Sequence, residues 1–136
     1  MTIREIAETL DATWLCCEEE GGRVLRTAFA SDMMSDVLAC VTEDTLLLTG
    51  LVNGQCVRTC EMLDVPCVVF VRSKEPLAVS KWETGAGFPD IALLEPLADA
   101  LALAREIDLP MLKTPYTMFE ACARLYTAGL RPVELG

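Results

Sequence analysis

Residues 45–71, TLLLTGLVNGQCVRTCEMLDVPCVVFV, decide the fold. Two short runs rich in Leu and Val, TLLLT and CVVFV, bracket a segment in which Cys56, Val57, Cys60 and Leu63 recur at helical spacing. Runs of that length without polar alternation are expected of strands buried on both faces of a parallel sheet. The order strand, turn, helix, strand is a βαβ unit. Its first strand ends at Thr49-Gly50, and Asn53 stands at a helix N-cap position, so backbone N–H groups gather where strand hands over to helix. A corner of that kind holds an anion or a polar ligand.

Working outward toward the N-terminus, Thr2 and Glu5 have the spacing of a capping box, and Ile3, Ile6, Ala7 and Leu10 fall on one helical face. Residues 14–17 read as a brief strand, EEEGG as a turn with permissive glycines, and residues 24–29 as a second strand. The two strands are expected to pair as a hairpin. Ser31-Asp32 then offers a cap for a helix whose apolar stripe is Met33, Met34, Val37, Leu38 and Val41.

Toward the C-terminus the pattern breaks at about residues 72–90, RSKEPLAVSKWETGAGFPD, where prolines, glycines and scattered charge mark a long surface excursion with a short helix at 77–82. Residues 91–94 resume as a strand, and Pro96 opens a helix in which Leu97, Leu101 and Ala104 repeat. Met111-Leu112 is a short strand. Thr114-Pro115 opens the last helix, with Phe119, Cys122, Ala123 and Tyr126 on one face and Gly129 as its C-cap. No repeat or low-complexity tract stands out, and residues 1–136 are expected to form a single domain.

Composition excludes several activities. The 136 residues carry 21 acidic against 11 basic side chains, a formal net charge of −10, which disfavours nucleic-acid and anionic-membrane partners. No apolar run approaches the length of a membrane span, and the start, MTIREIAETL, lacks the pattern of a secretory signal. Seven cysteines, an odd number with no signal, favour reduced thiols in the cytoplasm. With no histidine, Ser-His-Asp and Cys-His nucleophile pairs and His-based metal sites are impossible. There is no GxxxxGK[ST] loop, and Gly85-Ala86-Gly87 lacks the strand and helix of a dinucleotide fingerprint. ATP-dependent phosphoryl transfer is therefore not expected.

Cys56, Cys60 and Cys67 could suggest three thiolates around a metal, but no CxxC accompanies them, and free cysteine on the apolar face of a helix behaves as a small buried hydrophobe. Cys16 and Cys17, adjacent in a strand, are expected to point to opposite faces and to share no site. Ser31, Asp32, Ser35 and Asp36 form two like pairs about a turn apart. They read either as caps and first-turn carboxylates or as polar groups at the mouth of an open α/β sheet, where ligands bind. Thr49, Gly50 and Asn53 carry the same two readings, and Thr114, before another helix, is expected to join them at that mouth. Trp82 and Phe88 of the excursion are candidate partner contacts.

Taken in order, ASDMMSDVLACV, LLLTGLVNGQCVRTCEMLDVPCVVFV and ALALAREIDLPMLKTPYTMFEACARLYTAGL resemble a DRTGG domain, the family related to the N-terminal domain of HPr kinase/phosphorylase and found beside CBS modules. The resemblance covers nearly the whole chain. It implies a three-layer α/β/α fold with a mostly parallel sheet, often dimeric, with a regulatory or ligand-sensing role. Where similar domains pass from the second βαβ strand through a Thr-Gly-Gly-like turn into a helix, this chain has Val71-Arg72-Ser73 and the excursion.

The function expected is that of a non-catalytic regulatory domain, acting as a homodimer, that needs no cofactor and binds a small anionic ligand or a partner protein. Its ligand site would comprise Ser31, Asp32, Thr49, Gly50, Asn53 and Thr114. The competing readings are an accessory protein of a redox or metal-dependent complex and a small enzyme using carboxylates and thiols.

Overall fold

The computed structural model describes residues 1–72 and 91–135. In chain order the elements are α1 (Ile3–Thr9), β1 (Thr13–Cys16), a 3-10 turn (Glu18–Glu20), β2 (Thr27–Ala30), α2 (Met34–Cys40), β3 (Thr45–Thr49), α3 (Gly54–Leu63), β4 (Cys67–Arg72), α4 (Ile91–Glu106), β5 (Met111–Thr117), α5 (Met118–Ala128) and β6 (Arg131–Pro132). The six strands make one sheet in the order β1-β5-β4-β3-β2-β6. Every neighbouring pair is parallel except β1 with β5. The fold class is the α/β one expected. The short helix at 77–82, the glycines of 85–87, Trp82 and Phe88 lie outside the described residues.

The central unit forms as the sequence requires. All five residues of β3 are buried, as are the first five of β4. Alternate side chains feed two separate cores. Leu47, Val68, Phe70 and Met111 face the layer of α2, α3 and α4, where they meet Val37, Cys56, Val57, Cys60, Leu97, Ala100 and Ala104. Leu46, Leu48, Cys67, Val69, Val71 and Leu112 face the other layer, against Ile3, Ile6 and Leu10 of α1 and Ala121 and Leu125 of α5. Helices on both faces of one sheet make the three-layer α/β/α sandwich, because a parallel sheet must bury both sides.

Several expectations are corrected. The hairpin of residues 14–17 with 24–29 does not form: β1 pairs antiparallel with β5, and β2 pairs in parallel with β3. Cys17 takes a left-handed conformation (φ 60°) and the 3-10 turn follows, so the chain leaves β1 without folding back beside it. Val24 forms an isolated bridge to Thr2, and β2 starts three residues later than expected, at Thr27. Gly21 is not used for a left-handed turn. A Cβ there would come within 2.8 Å of the Arg4 guanidinium, which can swing aside, while the Gly21 carbonyl accepts from Arg4 N–H at 3.0 Å and ties the turn to α1.

Residues 91–94 are helical and belong to α4 rather than to a strand. Four apolar residues satisfy either periodicity, and here continuity with the following helix decides. β5 runs through Thr114 and Pro115 to Thr117, because its rungs to β4 continue to the Arg72–Thr117 pair, so the last helix starts at Met118. Its buried face is Ala121 and Leu125, whereas Phe119 and Tyr126 of the expected stripe are 86% and 61% exposed. In α2, Met34 and Val37 are buried but Met33 and Leu38 are exposed.

Candidate ligand-binding site

At the C-terminal ends of the parallel strands, Ser31, Asp32, Thr49, Gly50 and Asn53 lie on adjoining segments. Ser31 continues the β2–β3 ladder, its N–H donating to the Leu48 carbonyl at 3.0 Å, and its Oγ accepts from Met33 N–H at 3.0 Å. That turn carries Asp32 across the end of β3. There one carboxylate oxygen accepts from Thr49 Oγ1 at 3.0 Å and from Gly50 N–H at 2.6 Å. Thr49 is fully buried, and its Oγ1 also accepts from Leu51 N–H at 3.1 Å, fixing the turn. Asp32 therefore does not cap α2; its exposed carboxylate occupies the corner between β3 and α3. The N-cap of α2 is Met33, with no side-chain cap.

Asn53 is the N-cap of α3, as expected, its Oδ1 accepting from Cys56 N–H at 3.0 Å. The N–H groups of Gly54 and Gln55 remain, as at any helix start, without an intrahelical acceptor. They border a groove of about 510 Å³ between α3 and α4 lined by Gly54, Gln55, Arg58, Asp99, Ala102 and Leu103. Arg58 is exposed, forms no ion pair among the described residues, and lies one turn into α3, so its charge adds to the positive end of the helix dipole. The sequence reading passed over Arg58, although its spacing of five residues from the Asn53 cap was the available signal.

Thr114 is not part of this corner. It follows Leu112 by two along β5 and shares its side of the sheet, the α1/α5 side, whereas Thr49 alternates with Leu48 onto the opposite side. Its Oγ1 donates to the Leu10 carbonyl at 2.6 Å and accepts from Tyr116 N–H at 3.3 Å, so it anchors the end of α1 to β5. Nearby, the Tyr116 hydroxyl donates to Asp11 and Arg124 stacks on its ring 4.0 Å from the centroid. The hydrogen bond to Asp11 pushes the Tyr116 phenol above its ordinary value.

The thiols divide by environment. Cys56, Cys60 and Cys67 are buried as expected, with Cys67 on the side of the sheet opposite Cys56 and Cys60. Cys60 is raised above its ordinary value by the Cys56 thiol and by burial, and Cys67 by burial. The expectation that Cys16 and Cys17 point apart is corrected. Both thiols reach the α2–α4 side, near enough to hydrogen-bond, because the left-handed Cys17 turns its side chain back beside its neighbour. Burial pushes Cys17 up to about 12.

No protein-family model matches the sequence, and no curated protein matches it. Among solved structures, the chain is similar to the CBS and DRTGG domains of the regulatory region of a Clostridium perfringens pyrophosphatase, complexed with the activator diadenosine tetraphosphate. The identity is 17% and the TM-score 0.58, over 96% of this chain and 47% of that one. The chain thus spans about half the length of that structure. What the likeness establishes is a shared fold with a CBS and DRTGG regulatory region. Among the described residues, no helix is long and apolar enough to cross a membrane.

Proposed function

We propose that this chain is a single DRTGG-type regulatory domain of the cytoplasm, without catalysis of its own, that senses a small anionic ligand and acts as a homodimer. The observation that carries the reading is the likeness to a regulatory region whose activator is a polyphosphate dinucleotide. The local geometry supports it. The start of α3 offers the Gly54 and Gln55 N–H groups and the Arg58 guanidinium to one groove, next to a turn held in place by Asp32. An anion there gains from the helix dipole and from oriented donors. Asp99 on the facing wall disfavours a ligand that presents only phosphate and favours one that brings a donor, such as a ribose hydroxyl or a base amine, to that side. The absence of histidine and the upward-shifted thiols of Cys17, Cys60 and Cys67 support a sensing role over an enzymatic one.

The experiment is a calorimetric titration of the purified chain with diadenosine tetraphosphate, ATP, AMP and inorganic phosphate. At least one nucleotide should bind, with affinity lowered tenfold or more by Arg58→Ala and by Gly50→Val and unchanged by Glu8→Ala on α1. No binding of any of the four at millimolar concentration would refute nucleotide sensing. Binding that ignores Arg58 and Gly50 would refute the placement.

A further inference from the structure

At the opposite end of the sheet, where β1 finishes beside the start of β5, we propose that Cys17, Glu19 and Asp108 form a site for a thiophilic divalent cation of the zinc class. One ligand atom from each, the Cys17 Sγ and a carboxylate oxygen of Glu19 and of Asp108, lies within 4.8 Å of the other two. They come from separate places in the chain: Cys17 from the residue after β1, Glu19 from the 3-10 turn, and Asp108 from the connection between α4 and β5. Cys17 and Asp108 both hold left-handed conformations, φ 60° and 55°.

The charge arrangement favours a cation. Neither carboxylate makes a hydrogen bond or ion pair among the described residues, so two exposed anions converge on one half-buried thiol with no bonded counter-charge. Arg105, in the last turn of α4, is felt by Cys16 but bridges to neither carboxylate. Like charges held together in this way are destabilising by themselves and favourable around a metal ion. Asp108 also lines a polar cleft of about 310 Å³ with Arg23, Glu43, Glu61 and Asp64, which opens the cluster to solvent.

The donor set selects the ion. A thiolate with two carboxylates suits zinc or cobalt over calcium or magnesium, which take oxygen alone. Tetrahedral bonds of about 2.0–2.3 Å place donors roughly 3.3–3.8 Å apart, a contraction that the exposed Glu19 and Asp108 side chains reach by rotation. As the sulfur–metal bond forms, the thiol proton leaves to solvent. Three protein donors leave the fourth position to water. The Cys16 thiol, bonded to the Leu109 carbonyl at 3.3 Å, stands beside the site without being counted as a ligand.

Zinc alone, titrated into the metal-free full chain against a chromogenic chelator, should bind at one equivalent. Cys17→Ser and Asp108→Asn should each weaken it tenfold or more, and Cys122→Ser, on the other side of the sheet, should leave it unchanged. Cobalt should give a thiolate charge-transfer band in the near ultraviolet that Cys17→Ser removes. Should Cys17→Ser fail to fold, Glu19→Gln, on an exposed side chain, decides, with the same tenfold loss expected. The proposal is overturned by the absence of zinc binding at micromolar concentration, by binding indifferent to Glu19, Cys17 and Asp108, or by a cobalt spectrum without sulfur ligation.

Discussion

Asp32 and Thr114 show how single polar side chains settle two ends of this molecule. Asp32 reaches across from the turn after β2 and satisfies the Gly50 N–H, so that donor is already taken by a carboxylate, and the N–H groups left without an intrahelical acceptor are those at the neighbouring start of α3. The sequence suggests one shared corner for both residues, and only Asp32 lies at the β3–α3 corner. Thr114 looked like a helix cap because Thr-Pro commonly opens a helix. The ladder to β4 carries the strand past it instead, and strand alternation then turns its hydroxyl to the α1 side. Its work is structural. Replacing Thr114 with Val leaves the buried Leu10 carbonyl without that donor, which should destabilise the chain by about 1–3 kcal/mol. Chemical denaturation of the two proteins measures it, and nucleotide affinity should not change.

Helix ends account for much of what was legible and much of what was not. Four helices finish with the same closure, in which an N–H bonds back five residues: Ala12 to Ala7, Val65 to Cys60, Leu109 to Ala104 and Leu130 to Leu125. The residue before each of these lies at positive φ, namely Asp11, Asp64, Asp108 and Gly129. This is the Schellman pattern, for which glycine is the usual signal, so Gly129 was readable and the three aspartates were not. The recurrence of Asp, an apolar residue and Pro before β4 and again before β5, in DVPC and DLPM, was visible in the sequence and went unused. A Cβ on Gly129 would meet nothing within 4 Å, so Gly129→Ala tests conformation alone and should destabilise by about 1–2 kcal/mol. Asp64→Gly should act in the opposite sense, by roughly 0.5–1 kcal/mol. Thermal melts of the two variants should therefore move to either side of the parent. The strands of the central βαβ unit were legible because burial on both faces leaves continuous apolar runs. The partner of β1 was not, because apolar alternation states that a strand has a buried face and not which strand lies beside it.

On the scale of the whole molecule, the mostly parallel sheet is covered on both faces by helices, and among the described residues an apolar region stays open beside α5. Phe119, Cys122, Ala123 and Tyr126 of α5 join Ala28, Ala30 and Pro132 around a cavity of about 360 Å³, with Arg131 stacked on Tyr126 at 4.7 Å. The sequence pattern places these four residues of α5 on one helical face, and Phe119 and Tyr126 of that face are exposed. If the chain dimerises, as its resemblance to DRTGG domains implies, this face is where a second copy would find apolar surface. Light scattering at micromolar concentration should give twice the chain mass, and Phe119→Glu combined with Tyr126→Glu should return the monomer mass. A parent that is monomeric throughout, or a double variant that remains dimeric, refutes this interface. Because each copy carries a formal charge of −10, added salt should strengthen the association by screening repulsion between copies.

The placement of β1 at the outer edge of β5 has a consequence for how the chain is made. Trp14 pairs with Leu112, so β1 finds its partner only after β2, β3 and β4 have followed it out of the ribosome. Until then β1 has no strand to pair with, while β2, β3 and β4 assemble from near neighbours in order and give α1 a face to pack on. In pulse-labelled hydrogen exchange during refolding, amides of β3 and β4 should gain protection first and those of β1 last. The N-terminal segment is thus a latch on a structure built behind it.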